Sequence, residues 1–133
     1  MKVFIDANIF IYAAGREHAF KTASLRVLRE VGAGRIEAAT DTEVLQELLY
    51  RHWRAGAAQE GLRLCDHVLG VVADVLPIAK ADIVVARQLL GEHPQIEPRD
   101  AVHAAVMLNH GLTRLYSYDH HFKSIPGLTR LEP

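Results

Sequence analysis

What most constrains the fold of this chain is an alternation. Short apolar, β-branched runs recur between longer stretches whose apolar residues fall at helical spacing. Lys2 to Asp6 reads as a first strand and Ile36 to Ala39 as a second. Between them, Phe20 to Val31 sets Ala23, Val27 and Val31 on one face, and the run Gly32 to Gly34 ends the helix. From Thr40, the stretch TDTEVLQELLYRHW predicts a second helix with Val44, Leu45, Leu48 and Leu49 on one side, and a further helix covers Gln59 to Leu69. Val71 to Ile78 is strand-like and closed by Pro77, and KADIVVARQLLGEH is again helical. The clearest helix is EPRDAVHAAVMLNHG, with Pro98 just before its start, Asp100 in its first turn and Gly111 just past its end. Thr113 to Ser117 follows as a strand, and the tail is mostly loop with a short edge strand at Thr129 to Leu131.

Strands that alternate with helices predict an α/β fold: a mostly parallel central sheet with helices on both faces, a three-layer α/β/α sandwich. No repeat, low-complexity tract or linker divides residues 1–133, so one domain is expected. In such sheets ligands bind in the crevice beyond the carboxyl ends of the strands. Asp6 and Asp119 both fall just after a strand. A carboxylate buried there without a partner costs several kcal/mol, so its presence asks for a reason.

Bulk composition narrows the options. The apolar runs are far short of the ~20 residues of a membrane span, so no membrane association is expected. The start of the chain lacks a signal peptide's shape, because Asp6 and Asn8 interrupt its apolar run. A single cysteine, Cys65, excludes an internal disulfide framework and a cysteine-based zinc cage, and fits a cytoplasmic setting. The net charge is −1, from 15 Lys and Arg against 16 Asp and Glu, so any nucleic acid must be met by local patches.

Four carboxylates fall where the architecture can bring them together: Asp6, Glu47, Asp100 and Asp119. Asn8 and Ser117 stand two residues from Asp6 and Asp119, close enough to assist as neutral oxygen ligands or as hydrogen-bond donors. Two like charges ~5 Å apart repel by roughly 3 kcal/mol at an effective dielectric of 20, so such a cluster takes up protons or requires a cation. Oxygen donors without a cysteine or a histidine pair favour a hard divalent ion, Mg²⁺ or Mn²⁺. Such an ion binds phosphate oxygens and lowers the pKa of an attacking water. Glu43 is the rival to Glu47, but Thr40 and Glu43 form a T-x-x-E pattern that predicts a capping box and gives Glu43 a local role.

Other residues read less sharply. YRHWR (Tyr50 to Arg54) carries guanidinium and aromatic groups that can hold phosphate and stack on bases, with packing of Tyr50 and Trp53 against a helical partner or a separate partner protein the favoured reading. Arg51 and Arg54 are candidate RNA contacts, and Arg99 either meets substrate phosphate or neutralises the acidic cluster. His103, one turn after Asp100, reads as a structural histidine before a supporting one, and His120 and His121 as surface residues.

Four segments in order, VFIDANIFIY, TDTEVLQELLYR, EPRDAVHAAVMLNHGL and LYSYDHHFKSIPGLTRLEP, resemble the PIN-domain ribonucleases, and more narrowly the VapC-type toxins of toxin–antitoxin pairs. The resemblance spans essentially the whole chain. It implies a PIN-like sandwich and cleavage of RNA phosphodiesters, with Asp6, Glu47, Asp100 and Asp119 holding Mg²⁺ or Mn²⁺ and Asn8 and Ser117 assisting. It also implies a homodimer and a cognate antitoxin. Arg51 stands where many relatives have Gly, which obscures the entrance to the groove. Two other readings stand beside it: a non-catalytic module that keeps the fold for binding, and an aspartyl-phosphate phosphoryl-transfer domain. The second expects D-x-D or paired acids after the first strand, where this chain has Asn8.

Overall fold

The structure, a computed structural model, describes residues 1–133. Its elements are β1 (Val3–Ile5), α1 (Ala7–Ala14), α2 (Lys21–Gly32), β2 (Ala38–Asp41), α3 (Thr42–Arg54), α4 (Ala58–Val71), β3 (Asp74–Leu76), α5 (Lys80–Glu92), α6 (Pro98–Asn109), β4 (Arg114–Tyr116), a 3₁₀ turn (His120–Ser124) and β5 (Thr129–Leu131). The five strands form one sheet in the order β3-β2-β1-β4-β5, and every neighbouring pair is parallel. The chain steps outward from β1 to β2 to β3, then returns through α5 and α6 to lay β4 on the other side of β1. α1 to α4 pack with one another and α5 packs on α6, the two groups that right-handed crossovers in a sheet of this order would set on opposite faces. Ile5, Phe10, Leu48, Met107 and Leu115 meet in the single core cluster, all essentially without exposure. Ala101, Ala104 and Ala105 are also fully buried on α6, and their small size brings that helix close against the sheet. No helix is long and apolar enough to cross a membrane.

Several boundaries depart from the sequence reading, and each shift matters at one end of the sheet. β1 stops at Ile5, so Asp6 is the N-cap of α1, a helix that went unread because its apolar residues are nearly continuous; Ala7, Ile9, Phe10 and Ala13 are buried. β2 runs two residues later than expected and ends on Asp41. The expected capping box at Thr40 and Glu43 does not form. Thr40 is a strand residue whose hydroxyl donates to Ile5 O at 2.9 Å, and Asp41 caps α3 by accepting from Val44 N at 2.9 Å. β3 covers only Asp74–Leu76, because α4 continues to Val71.

Candidate active site

The strand order reverses between β1 and β4, and their carboxyl ends open onto a crevice. Asp6 leaves β1 there and is nearly buried. Its Oδ1 accepts from Ala7 N at 2.8 Å, and its Oδ2 accepts from the Ser117 hydroxyl at 2.6 Å and from Asn8 Nδ2 at 3.3 Å. Ser117 Oγ in turn accepts from Asp119 N at 3.0 Å and Asn8 Nδ2 at 3.2 Å, while Asn8 Oδ1 accepts from Tyr118 N at 3.3 Å. These bonds stitch the turn after β1 to the loop after β4 and leave the Asp6 carboxylate one orientation.

Asp100 enters from the first turn of α6. It is buried, and its Oδ2 has no hydrogen-bond partner. Glu47 arrives from α3 and is ion-paired with Arg99 Nη1 at 2.5 Å. Asp119 caps the 3₁₀ turn by accepting from His121 N at 2.9 Å. The four expected carboxylates thus line one open pocket of about 190 Å³, together with Asn8, Arg51 and Arg99. Glu43 faces a neighbouring groove with Glu97, Arg99 and Val102 instead, and Arg54 is exposed outside the pocket lining. Tyr50 and Trp53 are not packed within the chain: Trp53 is 65% exposed, and the two rings lie 5.9 Å apart on the surface of α3.

Beneath the pocket lie His103, expected as a structural or supporting histidine, and Asp41, which escaped the sequence reading. His103 is fully buried, with Nδ1 2.7 Å from Asp41 Oδ2 and Nε2 3.9 Å from Asp6 Oδ1. Asp41 is likewise fully buried. The signal that singled out Asp6, a carboxylate at the end of a strand, was present at Asp41 too, but the early boundary of β2 hid it. His121 is exposed, as expected of a surface residue, and the 3₁₀ turn also brings its Nδ1 3.3 Å from Asp119 Oδ1.

The electrostatics record crowding. Burial pushes the Asp6 carboxyl up, with His103 and the Ser117 bond opposing. Asp100 is pushed up to about 9, first by burial, then by the adjacent Asp119 carboxylate, with which it can share a proton, and by Asp6. Glu47 is also raised by burial, against the pull of Arg99. Burial raises Asp119 as well, but Asp100 and the His121 N–H outweigh it and hold the group low. For His103 burial lowers the value, yet the bond to Asp41 and the charges of Asp41, Asp6 and Asp100 carry it up to about 9. The pocket therefore holds more carboxylate than it can keep ionised without protons or a cation.

The donor set fits a divalent ion. Ligand atoms of Asp6, Asp100 and His103 lie within 4.8 Å of one another, as do those of Asp100, Asp119 and His121. The orphaned Asp100 Oδ2 is the kind of buried atom a cation satisfies.

This fold with this pocket is that of a PIN domain. The PIN domain family model matches residues 3–128, and the chain belongs to that family. Within it, the chain is of the VapC type. It is 38% identical over 129 residues to Ribonuclease VapC13 of Mycobacterium tuberculosis, covering 97% of this chain and 98% of that one. It is 30% identical over 118 residues to Ribonuclease VapC23 of the same species, covering 89% and 93%. Among solved structures, M. tuberculosis VapC20, described as a sarcin-ricin loop cleaving toxin, superposes with a TM-score of 0.81 at 21% identity over 98% of this chain and 99% of that one. VapBC2 from Rickettsia felis, bound to a DNA fragment of its promoter, gives 0.76 at 20% identity over 99% and 98%.

Proposed function

We propose that residues 1–133 act as a single PIN domain, a cytoplasmic toxin that hydrolyses RNA phosphodiesters with Mg²⁺ or Mn²⁺. The observation that carries this reading is the convergence of Asp6, Glu47, Asp100 and Asp119 on one pocket at the carboxyl ends of β1 and β4. The ribonuclease names of the curated relatives support the substrate class.

Asp6, Asp100 and Asp119, with Glu47 at the rim, are the residues that would hold the ion. Once bound, such an ion lowers the pKa of water and neutralises charge on a phosphoryl group. The chain's own residues do the positioning. Ser117 and Asn8 lock the Asp6 carboxylate. Arg99 keeps Glu47 in place and, with Arg51, offers guanidinium groups to a phosphate entering the pocket. Both Asp6 oxygens are already hydrogen-bonded, which argues against Asp6 as a phosphate-accepting nucleophile.

A cognate antitoxin and a homodimer complete the reading. Toxin–antitoxin complexes among the structural neighbours support the first. Exposed Ile83 and Val84 on α5 support the second. The test is cleavage of RNA by the purified protein with Mg²⁺ or Mn²⁺. Cleavage is expected from the wild type and not from Asp6→Ala or Asp100→Ala; equal cleavage by all three refutes the assignment.

A further inference from the structure

His103 stands out as a fully buried polar side chain with one ring nitrogen unpartnered and facing the acidic pocket. One of its nitrogens is accounted for: Nδ1 lies 2.7 Å from Asp41 Oδ2. Asp41 is itself fixed, because its other oxygen accepts from Val44 N at 2.9 Å. This bond assigns the donor role to Nδ1, so Nε2 is the ring nitrogen that an ion can take once it gives up its proton. Nε2 is buried, has no hydrogen-bond partner, and faces Asp6 and Asp100. A carboxylate behind one imidazole nitrogen, with the other nitrogen turned into a cluster of donors, is how metal-ligating histidines are oriented. The spacing agrees. Donor atoms ~2.1 Å from one ion lie no more than about 4.2 Å apart, and Nε2 is 3.9 Å from Asp6 Oδ1.

We infer that His103 Nε2 is a direct ligand of the divalent ion, beside Asp6 and Asp100, and that it biases the site toward Mn²⁺ over Mg²⁺. The inference rests on the metal-binding part of the function proposed above. The bias follows from ligand chemistry: imidazole is a softer donor than carboxylate and binds later first-row metals better than it binds Mg²⁺. Asp41 is then a positioning residue, acting on the ion only through the imidazole. The rival role for the pair is structural, a buried bridge from α6 to the end of β2, with the His103 ring 5.6 Å from that of Phe4. A bridge of that kind predicts no nitrogen on the metal.

The full chain loaded with Mn²⁺ and studied by pulsed EPR separates the two. A directly bound nitrogen modulates the electron spin echo, and labelling histidine with ¹⁵N changes that modulation. The nitrogen coupling is expected in the wild type, absent in His103→Gln and retained in His121→Gln. Mn²⁺ affinity in His103→Gln should fall by about tenfold or more, and Mg²⁺ affinity by less. If His103→Gln does not fold, ¹⁵N-histidine-labelled His121→Gln gives the same answer, because His103 is then the one histidine left among the grouped ligands. Mn²⁺ bound with oxygen coupling only, or a nitrogen coupling that survives His103→Gln, overturns this inference and leaves the nuclease reading standing. Failure to bind Mn²⁺ at all overturns both.

Discussion

The pocket has two halves of opposite character. The deep half, Asp6, Asp41, His103 and Ser117, is buried and tied by short hydrogen bonds to β1, β2, β4 and α6. The outer half, Glu47, Arg99, Asp119 and His121, is partly open to water, and its charges are met by long, flexible partners. Burial without full pairing is unfavourable for stability, so the rigidity of the deep half is a functional arrangement held by the fold around it. The outer half can rearrange as a substrate enters, because solvent already screens its charges. Geometry is fixed where an ion would sit and left adjustable where an RNA strand would pass.

Substitutions can break this contrast. The largest effect on stability is expected from Asp41→Ala, which strands His103 in the interior. Removal of one partner from a buried pair costs about 3–5 kcal/mol, read as a lowered midpoint in chemical denaturation. Asp100→Asn should behave in the opposite way. RNA cleavage falls to background, yet the metal-free protein is no less stable, because the buried carboxyl that must take up a proton on folding has gone. Ser117→Ala frees the Asp6 carboxylate to turn, and metal affinity by calorimetry should drop roughly 10–100-fold with the fold intact. Glu47→Gln is the mildest, with about 1 kcal/mol or less of stability lost. Should it destabilise as much as Asp41→Ala, the division into two halves is wrong.

Much of this was legible in the sequence. The alternation of patterns was enough for the parallel sheet and for Asp6 at the end of β1, since a carboxylate closing an apolar run is a local signal; Asp119, expected just after its strand, lies three residues beyond β4 as the cap of the 3₁₀ turn. Asp100 followed from helix-start chemistry around Pro98. The interior of the site was less legible. Asp41 and His103 are 62 residues apart and meet only through the packing of α6 against β2, a contact no local pattern encodes. The T-x-x-E pattern misled because Thr40 satisfies its hydroxyl across the sheet, at Ile5 O, and leaves the cap to Asp41. The approach of His121 to Asp119 depends on the 3₁₀ turn, which has little periodicity to read.

The central claim is that the carboxylates share one pocket because a divalent ion offsets their repulsion, and thermal unfolding against pH tests it most directly. Asp100 is raised from 3.8 to about 9, Asp6 is raised from 3.8, and His103 is raised from 6.5 to about 9. For Asp100 and His103 the folded, metal-free protein holds a proton that the unfolded chain has already released, so that stability is lost as pH rises through about 9; the raised Asp6 carboxyl acts in the same direction. The account predicts that the unfolding temperature of metal-free protein falls from pH 6 toward roughly pH 9, and that Mn²⁺ or Mg²⁺ restores it most at the alkaline end. A wild-type curve that the ions leave unchanged at every pH, or that they shift equally in Asp100→Asn, contradicts it.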